Sequence, residues 1–280
     1  MPCSGCSVWL DCGQMSRPFL ARLHYNGSGF VGWQRQPVGR SVQGEVERVL
    51  ERLFGRRTVA HAAGRTDAGV HAVGQGISFS APPSWNESGL RRALNALLPP
   101  DCWVEAVHPM HPGFHARKSA LSRRYRYHIG LDDAAASPFR RPFEWPLGRP
   151  LDFQLLQAAA AVIRGEHDFR ALAAKADKPH HHCHLVLAEW ELRPEGRGVS
   201  FHVEADRFLQ RMVRMLVGTM VDIGLGRRDV ADMARLLERA DNQATSPPAP
   251  AQGLYFAAVT YPPELFADAA GEPQAAVHLA

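Results

Sequence analysis

One carboxylate stands in a short stretch whose neighbours suit chemistry. Residues 64–71 read Gly-Arg-Thr-Asp-Ala-Gly-Val-His, so two glycines bracket Asp67. Glycine lets a backbone turn sharply and approach a ligand, and the apolar run at residues 75–79 predicts a strand. We therefore expect Asp67 on a loop that a sheet holds, a common place for a reactive side chain. An unperturbed aspartate has a pKa of ~3.9 and is anionic at neutral pH without a base to activate it. The alternative is an Asp that only caps a turn.

Basic and aromatic residues are interleaved in two tracts that contain no acid. One tract lies between Asp11 and Glu45, the other between Glu105 and Asp132. Cationic side chains with aromatic ones suit a phosphate backbone and stacked bases. A solvated strand face would explain either tract alone, so only the two together favour nucleic acid. The tracts contain Arg17, Arg22, Trp33, Arg35, Arg40, Phe114, Arg117, Lys118, Arg123, Arg124, Tyr125, Arg126 and Tyr127.

Length and composition are those of an ordinary globular chain. It has 280 residues, of which 45% are hydrophobic and 21% charged, enough for one large or two modest domains. The formal charge of +4 does not by itself indicate a nucleic-acid partner. No apolar run approaches the ~18 residues of a membrane helix. The first residues lack a basic segment followed by an apolar core. We expect a cytoplasmic protein with no membrane partner.

Two groups of possible metal ligands do not predict a metal site. Cys3, Cys6 and Cys12 lie close together near the start of the sequence. However, the chain has five cysteines, an odd number, and no second close pair of cysteines completes the four ligands of a zinc or iron–sulfur site. We interpret residues 1–15 as a disordered extension. Four His and one Cys occupy residues 180–184, yet neighbouring side chains on a strand point apart and cannot all reach one ion. We expect a basic or RNA-facing loop there, with no metal and no cofactor.

Periodic apolar residues predict where the helices and strands lie. Ser41 predicts the cap of a helix whose apolar face runs from residue 42 to residue 54, and Ser88 and Asp152 predict two further helix starts. Two more helices are predicted at residues 207–223 and 230–237. Strict alternation at residues 124–129 predicts a strand with Tyr125, Tyr127 and Ile129 on one face.

These elements predict an α+β fold of two ferredoxin-like domains. Each half of the chain carries several strands and two helices in a split β-α-β order. We place the N-terminal domain, which carries Asp67, at residues 16–112 and the C-terminal domain at residues 113–264. Residues 265–280 are small and polar and predict a flexible tail.

Residues 64–71 resemble the signature loop of the bacterial tRNA pseudouridine synthase A family. Other short matches follow in the family's order and span residues 19–262, and this ordered set is far more specific than any single match. They are Gly32-Trp33-Gln34-Arg35-Gln36, Phe114-His115-Ala116-Arg117, Arg123-Arg124-Tyr125-Arg126-Tyr127, Phe208-Leu209, Met212-Val213-Arg214 and Gly253-Leu254-Tyr255. Two features depart from the family: Asn26 stands where Asp is usual, and the histidine-rich residues 180–184 stand where polar and basic residues are common.

The resemblance implies an enzyme that isomerises uridine to pseudouridine in the anticodon arm of tRNA, at positions 38 to 40 of tRNA numbering, with no metal or cofactor. It implies a homodimer in which one stem-loop reaches across both subunits. It also implies that the two sheets join into one mostly antiparallel sheet, with helices on one side and a central RNA-binding cleft. The target nucleotide is flipped out, because its glycosidic carbon cannot be reached within a stacked stem.

The resemblance also assigns roles to residues. Asp67 becomes the catalytic nucleophile and Arg214 its basic partner, while Tyr125 stacks on the target base. Arg65 occupies the place of the flipped nucleotide and grips its phosphate. The atom on which Asp67 acts stays open: it is carbon 6 of the base, the sugar, or a sugar proton after cleavage. We expect four further arginines to bind RNA, namely Arg35, Arg117, Arg123 and Arg124.

Two other functions remain as alternatives. A non-catalytic RNA-binding protein on the same scaffold would keep the basic tracts but would not need Asp67. A hydrolase with an Asp nucleophile and a small substrate would need neither the tracts nor Arg65. The combination of Asp67, Tyr125 and Arg214 argues against the first, and the RNA-like surface argues against the second.

Overall fold

The computed structural model describes residues 16–174, 180–239 and 241–267. Within these ranges the helices are α1 (Val42–Phe54), α2 (Glu87–Leu97), α3 (Phe153–Val162), α4 (Met212–Gly224) and α5 (Ala231–Leu237). The strands are β1 (Arg17–Tyr25), β2 (His61–Ala62), β3 (His71–Ala81), β4 (Cys102–Pro109), β5 (Ser122–Gly130), β6 (Trp145–Pro146), β7 (Gly165–Asp168), β8 (His182–Leu192), β9 (Gly198–Ala205) and β10 (Leu254–Thr260).

All of these strands belong to one mostly antiparallel sheet. Its order is β4-β1-β3-β10-β5-β9-β8-β7, with β2 paired to β3 and β6 paired to β5. The N-terminal half thus has the order β4-β1-β3-β2 and the C-terminal half β10-β5-β9-β8, the same arrangement twice. This confirms the α+β fold with two split β-α-β halves and one continuous sheet.

The two halves join where β10 runs parallel to β3. Tyr255 pairs with His71 and Phe256 with Ala72, close to the end of the loop that carries Asp67. On its other edge β10 pairs antiparallel with β5. The last strand of the chain therefore connects the N-terminal strands to the C-terminal ones, while the domain boundary after residue 112 stays a prediction.

Polar caps set the starts of three helices. The Ser41 side chain accepts a hydrogen bond from the Gly44 N–H at the start of α1, as predicted. Asp152 accepts from the N–H groups of residues 154 and 155 and caps α3, also as predicted. The predicted start of α2 at Ser88 is wrong. Asn86 caps that helix by accepting from the Gly89 N–H, so the helix begins two residues before Gly89.

The predicted helix at residues 207–223 begins later than expected. Its first helical residue is Met212, because Arg211 adopts a left-handed backbone conformation with φ 60°. An α-helix cannot continue through that conformation, so residues 207–210 stay outside it. Arg214 therefore lies in the first turn of α4 rather than in the middle of a helix.

Alternation along β5 is confirmed. Tyr125, Tyr127 and Ile129 are buried, whereas the side chains between them are only partly buried. The Tyr127 hydroxyl donates to the Pro250 carbonyl at 2.7 Å, which fixes the segment before β10 against the sheet. Tyr125 on this buried face adjoins the start of the Asp67 loop, since a Cβ at Gly64 would lie 3.4 Å from its hydroxyl oxygen.

Several predictions fall outside the described residues. Residues 1–15, with Cys3, Cys6 and Cys12, lie there, as does the predicted tail from residue 268 onward. In the part of the chain that the structure describes, no helix is long and apolar enough to cross a membrane.

Candidate active site

The loop that carries Asp67 is held at its base by buried polar side chains. Gln75 is fully buried, and its Nε2 donates to the Gly64 carbonyl at 2.7 Å. The hydroxyls of Thr66 and Tyr25 share a hydrogen bond of 2.7 Å. Burial raises the pKa of Tyr25 to about 12, so its hydroxyl keeps its proton at neutral pH. These contacts anchor both sides of the loop to β1 and β3.

Two glycines let other backbone segments press against this loop. Gly32 has φ +110°, and a Cβ there would lie 2.7 Å from the Thr66 carbonyl oxygen. A Cβ at Gly27 would lie 2.1 Å from the carbonyl oxygen of Val70. The Trp33 N–H also donates to the Thr66 carbonyl at 3.0 Å. Only glycine permits such close contact, so these positions restrict where Asp67 lies.

His71 links the end of the loop to both halves of the chain. It is buried, its Nδ1 accepts from the Gly27 N–H at 3.1 Å, and its Nε2 lies 3.0 Å from the Pro142 carbonyl oxygen. A nitrogen that faces an N–H must be the acceptor, so Nε2 carries the proton and donates. Its ring stacks on Tyr255 of β10 at 4.8 Å. Burial lowers the pKa of His71, which favours this neutral form.

Asp67 faces Arg214 across the junction between the halves. The Arg214 Nη1 donates to the Asp67 Oδ2 at 3.2 Å, and the two side chains are 15% and 29% exposed. The Arg214 Nε donates to the Ala249 carbonyl at 2.7 Å, and the Ala249 N–H donates back to the Arg214 carbonyl. The guanidinium is therefore fixed by a segment just before β10, and it offers Asp67 the positive charge that a partly buried carboxylate requires.

A glycine in α4 makes this fixation possible. A Cβ at Gly218 would lie 2.1 Å from the carbonyl oxygen of Pro247. The segment of residues 247–249 can therefore lie directly on the helix that carries Arg214. No local pattern in the sequence indicates this contact.

Tyr125 lies beneath the loop, and its side chain is less exposed than we would expect for a residue that stacks on a base. It is 8% exposed, and Phe208 and Phe256 contact its ring edge-on at 4.9 and 5.1 Å. Among the described residues, no group hydrogen-bonds its hydroxyl. Burial raises the pKa of Tyr125, and Tyr25 and the charge of Asp67 raise it further. The hydroxyl is therefore a protonated donor without a partner, close to the Asp67 loop.

The predicted arginines fall into two groups. Arg65 and Arg117 are exposed, as is Arg35, whose Nη1 lies 3.7 Å from the Glu47 Oε2. Arg124 instead pairs with the Glu204 Oε2 at 2.6 Å. Their role in RNA binding stays a prediction.

Arg123 is engaged within the protein. Its guanidinium donates to four backbone carbonyls, those of Ala63, Arg117, Ala120 and Asp206. Burial lowers the pKa of Arg123. Because Ala63 directly precedes the Asp67 loop, Arg123 stabilises the position of that loop, whatever else it contacts.

Sequence reasoning missed one arginine at the site. The Arg211 Nε lies 4.0 Å from the Asp67 Oδ2, and its side chain is 51% exposed. The only available signal was its position three residues before Arg214, which would place the two on one side of a helix turn. That signal is misleading here, because Arg211 precedes the helix.

A shallow cavity of about 380 Å³ adjoins the loop at Gly69. Asp67 does not line this cavity. The cavity is lined by Ser28, Gly69, Pro138, Arg141, Pro142, Ala251 and Gln252.

The histidine-rich stretch does not form the predicted loop. Residues 182–184 begin β8 and pair with β7, so alternate side chains point to opposite faces. His181 and Cys183 are buried, whereas residues 180, 182 and 184 are exposed. Over the described ranges, no group of three or more His, Cys, Asp or Glu side chains is placed to hold a metal ion.

A carboxylate paired with a fixed arginine and a buried tyrosine, on a sheet made of two split β-α-β halves, fits the pseudouridine synthases as a class. A family model described as tRNA pseudouridine synthase matches residues 21–117 and 159–262. These ranges include Asp67 and Arg214, whereas Tyr125 lies between them, and the chain belongs to that family. Membership makes it an enzyme, an isomerase.

Individual relatives agree over most of the chain. The tRNA pseudouridine synthase A of Chlorobium luteolum is 40% identical over 88% of this chain and 96% of its own length. That of Myxococcus xanthus is 39% identical over 85% of this chain and 90% of its own. That of Frankia casuarinae is 42% identical over 86% and 88%.

Proposed function

We propose that this protein isomerises uridine to pseudouridine in tRNA, in the anticodon arm at positions 38 to 40. The observation that carries the proposal is the pair of Asp67 and Arg214, 3.2 Å apart in two segments that the family model matches separately. The names of the relatives support tRNA as the substrate. The position of the target uridine rests on the resemblance of the sequence motifs.

The reaction rearranges bonds without gain or loss of atoms. The bond from N1 of uracil to C1′ of the ribose breaks, and a bond from C5 to C1′ forms. The hydrogen on C5 is lost, and N1 gains one. Asp67 is the nucleophile in this proposal and acts on the sugar–base unit while the uracil turns. Because an ionised carboxylate supplies the reactive electron pair, neither metal nor cofactor is required.

Other residues have supporting roles in the proposal. Arg214 balances the negative charge of Asp67 and orients its carboxylate through the hydrogen bond between them. Tyr125 holds the uracil from below, with its hydroxyl available to donate. Arg65, which is exposed beside Asp67, grips a phosphate of the flipped nucleotide. The remaining exposed arginines, Arg35 and Arg117, bind the RNA backbone at a greater distance.

The proposed assembly is a cytoplasmic homodimer that holds one anticodon stem-loop across both subunits. The resemblance supports this arrangement. Sedimentation of the protein alone and with a tRNA transcript tests it: a dimer that binds tRNA is expected, and a monomer in both samples contradicts it.

Mapping of pseudouridine in tRNA tests the function. The purified protein is incubated with a tRNA transcript carrying uridines at positions 38 to 40, and with a matched transcript carrying cytidines there. Pseudouridine is expected only in the first transcript and only at those positions. Binding of both transcripts without any pseudouridine would indicate the non-catalytic RNA-binding protein instead.

A further inference from the structure

Two arginines face the same oxygen of Asp67, but they are held in different ways. Arg214 is mostly buried and fixed by Ala249, and its Nη1 is 3.2 Å from the Asp67 Oδ2. The Arg211 Nε is 4.0 Å from that oxygen, which is beyond hydrogen-bond distance. Asp67 therefore already has its charge partner, and Arg211 adds little to it in the free protein.

The guanidinium of Arg211 is available to a ligand. Half of its side chain is exposed, and among the described residues it makes no hydrogen bond. An arginine carries five N–H donors in a planar fork, the geometry that matches the oxygens of a phosphate. Here those donors lie beside the carboxylate that would react.

The backbone at Arg211 is in a conformation that its side chain disfavours. Its φ is 60°, and Glu195 is the other described residue besides glycine with a positive φ. Glu195 lies in the tight turn between β8 and β9, at the end of β9 where Gly198 pairs with Gly130, whereas Tyr125 pairs with Val203 near the other end. A non-glycine residue in this conformation is strained, and such strain clusters at functional sites. A glycine at position 211 would relieve the strain but would remove the guanidinium.

We propose that Arg211 is a substrate-binding residue that grips a backbone phosphate of the nucleotide held against Asp67. A ribose carries a phosphate on each side, so a nucleotide whose glycosidic bond meets Asp67 presents one within reach of a long side chain. Arg65 reaches one side from the loop, and Arg211 reaches the site from the start of α4. This inference rests on the proposed function, because it assumes an RNA substrate.

Three variants test the proposal with full-length tRNA transcript. Arg211→Gly keeps the left-handed backbone and removes the donors, whereas Arg211→Lys keeps a charge without the fork. Glu195→Gly is the matched control, since it makes the same backbone change away from the site. The dissociation constant is measured at several salt concentrations, and the single-turnover rate is measured at saturating protein.

The expected result for Arg211→Gly is a dissociation constant raised about tenfold, as for loss of a charge-assisted hydrogen bond. The slope of log affinity against log salt should fall in magnitude by about 1, the value for one lost phosphate contact. Arg211→Lys should restore most of the slope but less of the affinity. Glu195→Gly should match wild type in slope, affinity and rate.

Unchanged affinity and slope in Arg211→Gly would overturn the proposal, because they would make Arg211 a bystander. A lower saturating rate with unchanged affinity would also overturn it, since Arg211 would then act on Asp67 instead of the phosphate. Failure of the proposed function would instead appear in the wild-type protein, which would then form no pseudouridine. The two failures are therefore distinguishable.

Discussion

Arg214 and Asp67 are 147 positions apart in the chain, yet their side chains meet at 3.2 Å. The contact depends on β10, which runs parallel to β3. The segment just before β10 contains Ala249, whose carbonyl accepts a hydrogen bond from Arg214. The site therefore exists only when both halves of the chain share one sheet. Asp67 belongs to the N-terminal half and Arg214 to the C-terminal half.

Loss of Arg214 should impair the chemical step. Arg214→Ala leaves a partly buried carboxylate without its charge partner and without the hydrogen bond that orients it. We expect a fall of about 100-fold or more in kcat, the range for removal of one key donor. Single-turnover kinetics measure this. Arg228→Ala is the control, because Arg228 forms a similarly buried ion pair of 3.2 Å with Asp232, which is not part of the site. Equal losses in both variants would point to general destabilisation.

Tyr125→Phe should separate the hydroxyl from the ring. The ring packs edge-on against Phe208 and Phe256, and Phe would keep both contacts. Because no described group bonds the hydroxyl, the melting temperature should stay unchanged. We expect kcat to fall by about tenfold through loss of a donor to the uracil. Wild-type kcat would show that the ring alone carries the role of Tyr125.

The arginines that the sequence predicted to bind RNA should behave unequally. Arg123→Ala removes hydrogen bonds to four carbonyls and should cost about 2 kcal/mol or more of stability. Arg124→Ala breaks an ion pair within the protein and should leave the salt dependence of tRNA binding nearly unchanged. Arg117→Ala, at an exposed position, should reduce the magnitude of the slope of log affinity against log salt by about 1. Identical slopes for the Arg117 and Arg124 variants would contradict this division.

Stability should fall as the pH drops below neutral. Burial, together with the smaller effects of the positive charges of Arg126, Arg193 and His202, lowers the pKa of His128 to about 3. The unfolded chain therefore binds a proton near pH 6.5, whereas the folded protein binds it only near pH 3. Between these values the unfolded state holds more protons, so the free energy of unfolding decreases as pH falls.

The pH dependence can be assigned with two variants. His128→Gln should flatten the decrease in melting temperature between pH 7 and pH 5, because the group that titrates is removed. His111→Gln, at an exposed position, should follow wild type. A His128→Gln curve parallel to wild type would assign the decrease to other groups, such as the buried His71.

The sequence predicted local structure better than long-range contacts. Caps at Ser41 and Asp152 and the alternation of β5 are local signals and were confirmed. The parallel pairing of β10 with β3 joins residues far apart in the chain, and no local pattern indicates it. Arg211 was missed because its left-handed backbone goes against residue preference. Arg123 was read as RNA-facing because charge in a sequence does not reveal an intramolecular partner.

The role of Asp67 is the central claim, and Asp67→Asn tests it most directly. Asn has nearly the same shape but is neutral and a poor nucleophile, and the buried contacts of Thr66 and Gln75 that hold the loop remain. The account predicts tRNA binding within about twofold of wild type and no detectable pseudouridine. If Asp67 only capped a turn, the change would cost about 1 kcal/mol of stability and activity would persist. Pseudouridine formation by the purified variant at even about a tenth of the wild-type rate would contradict the account.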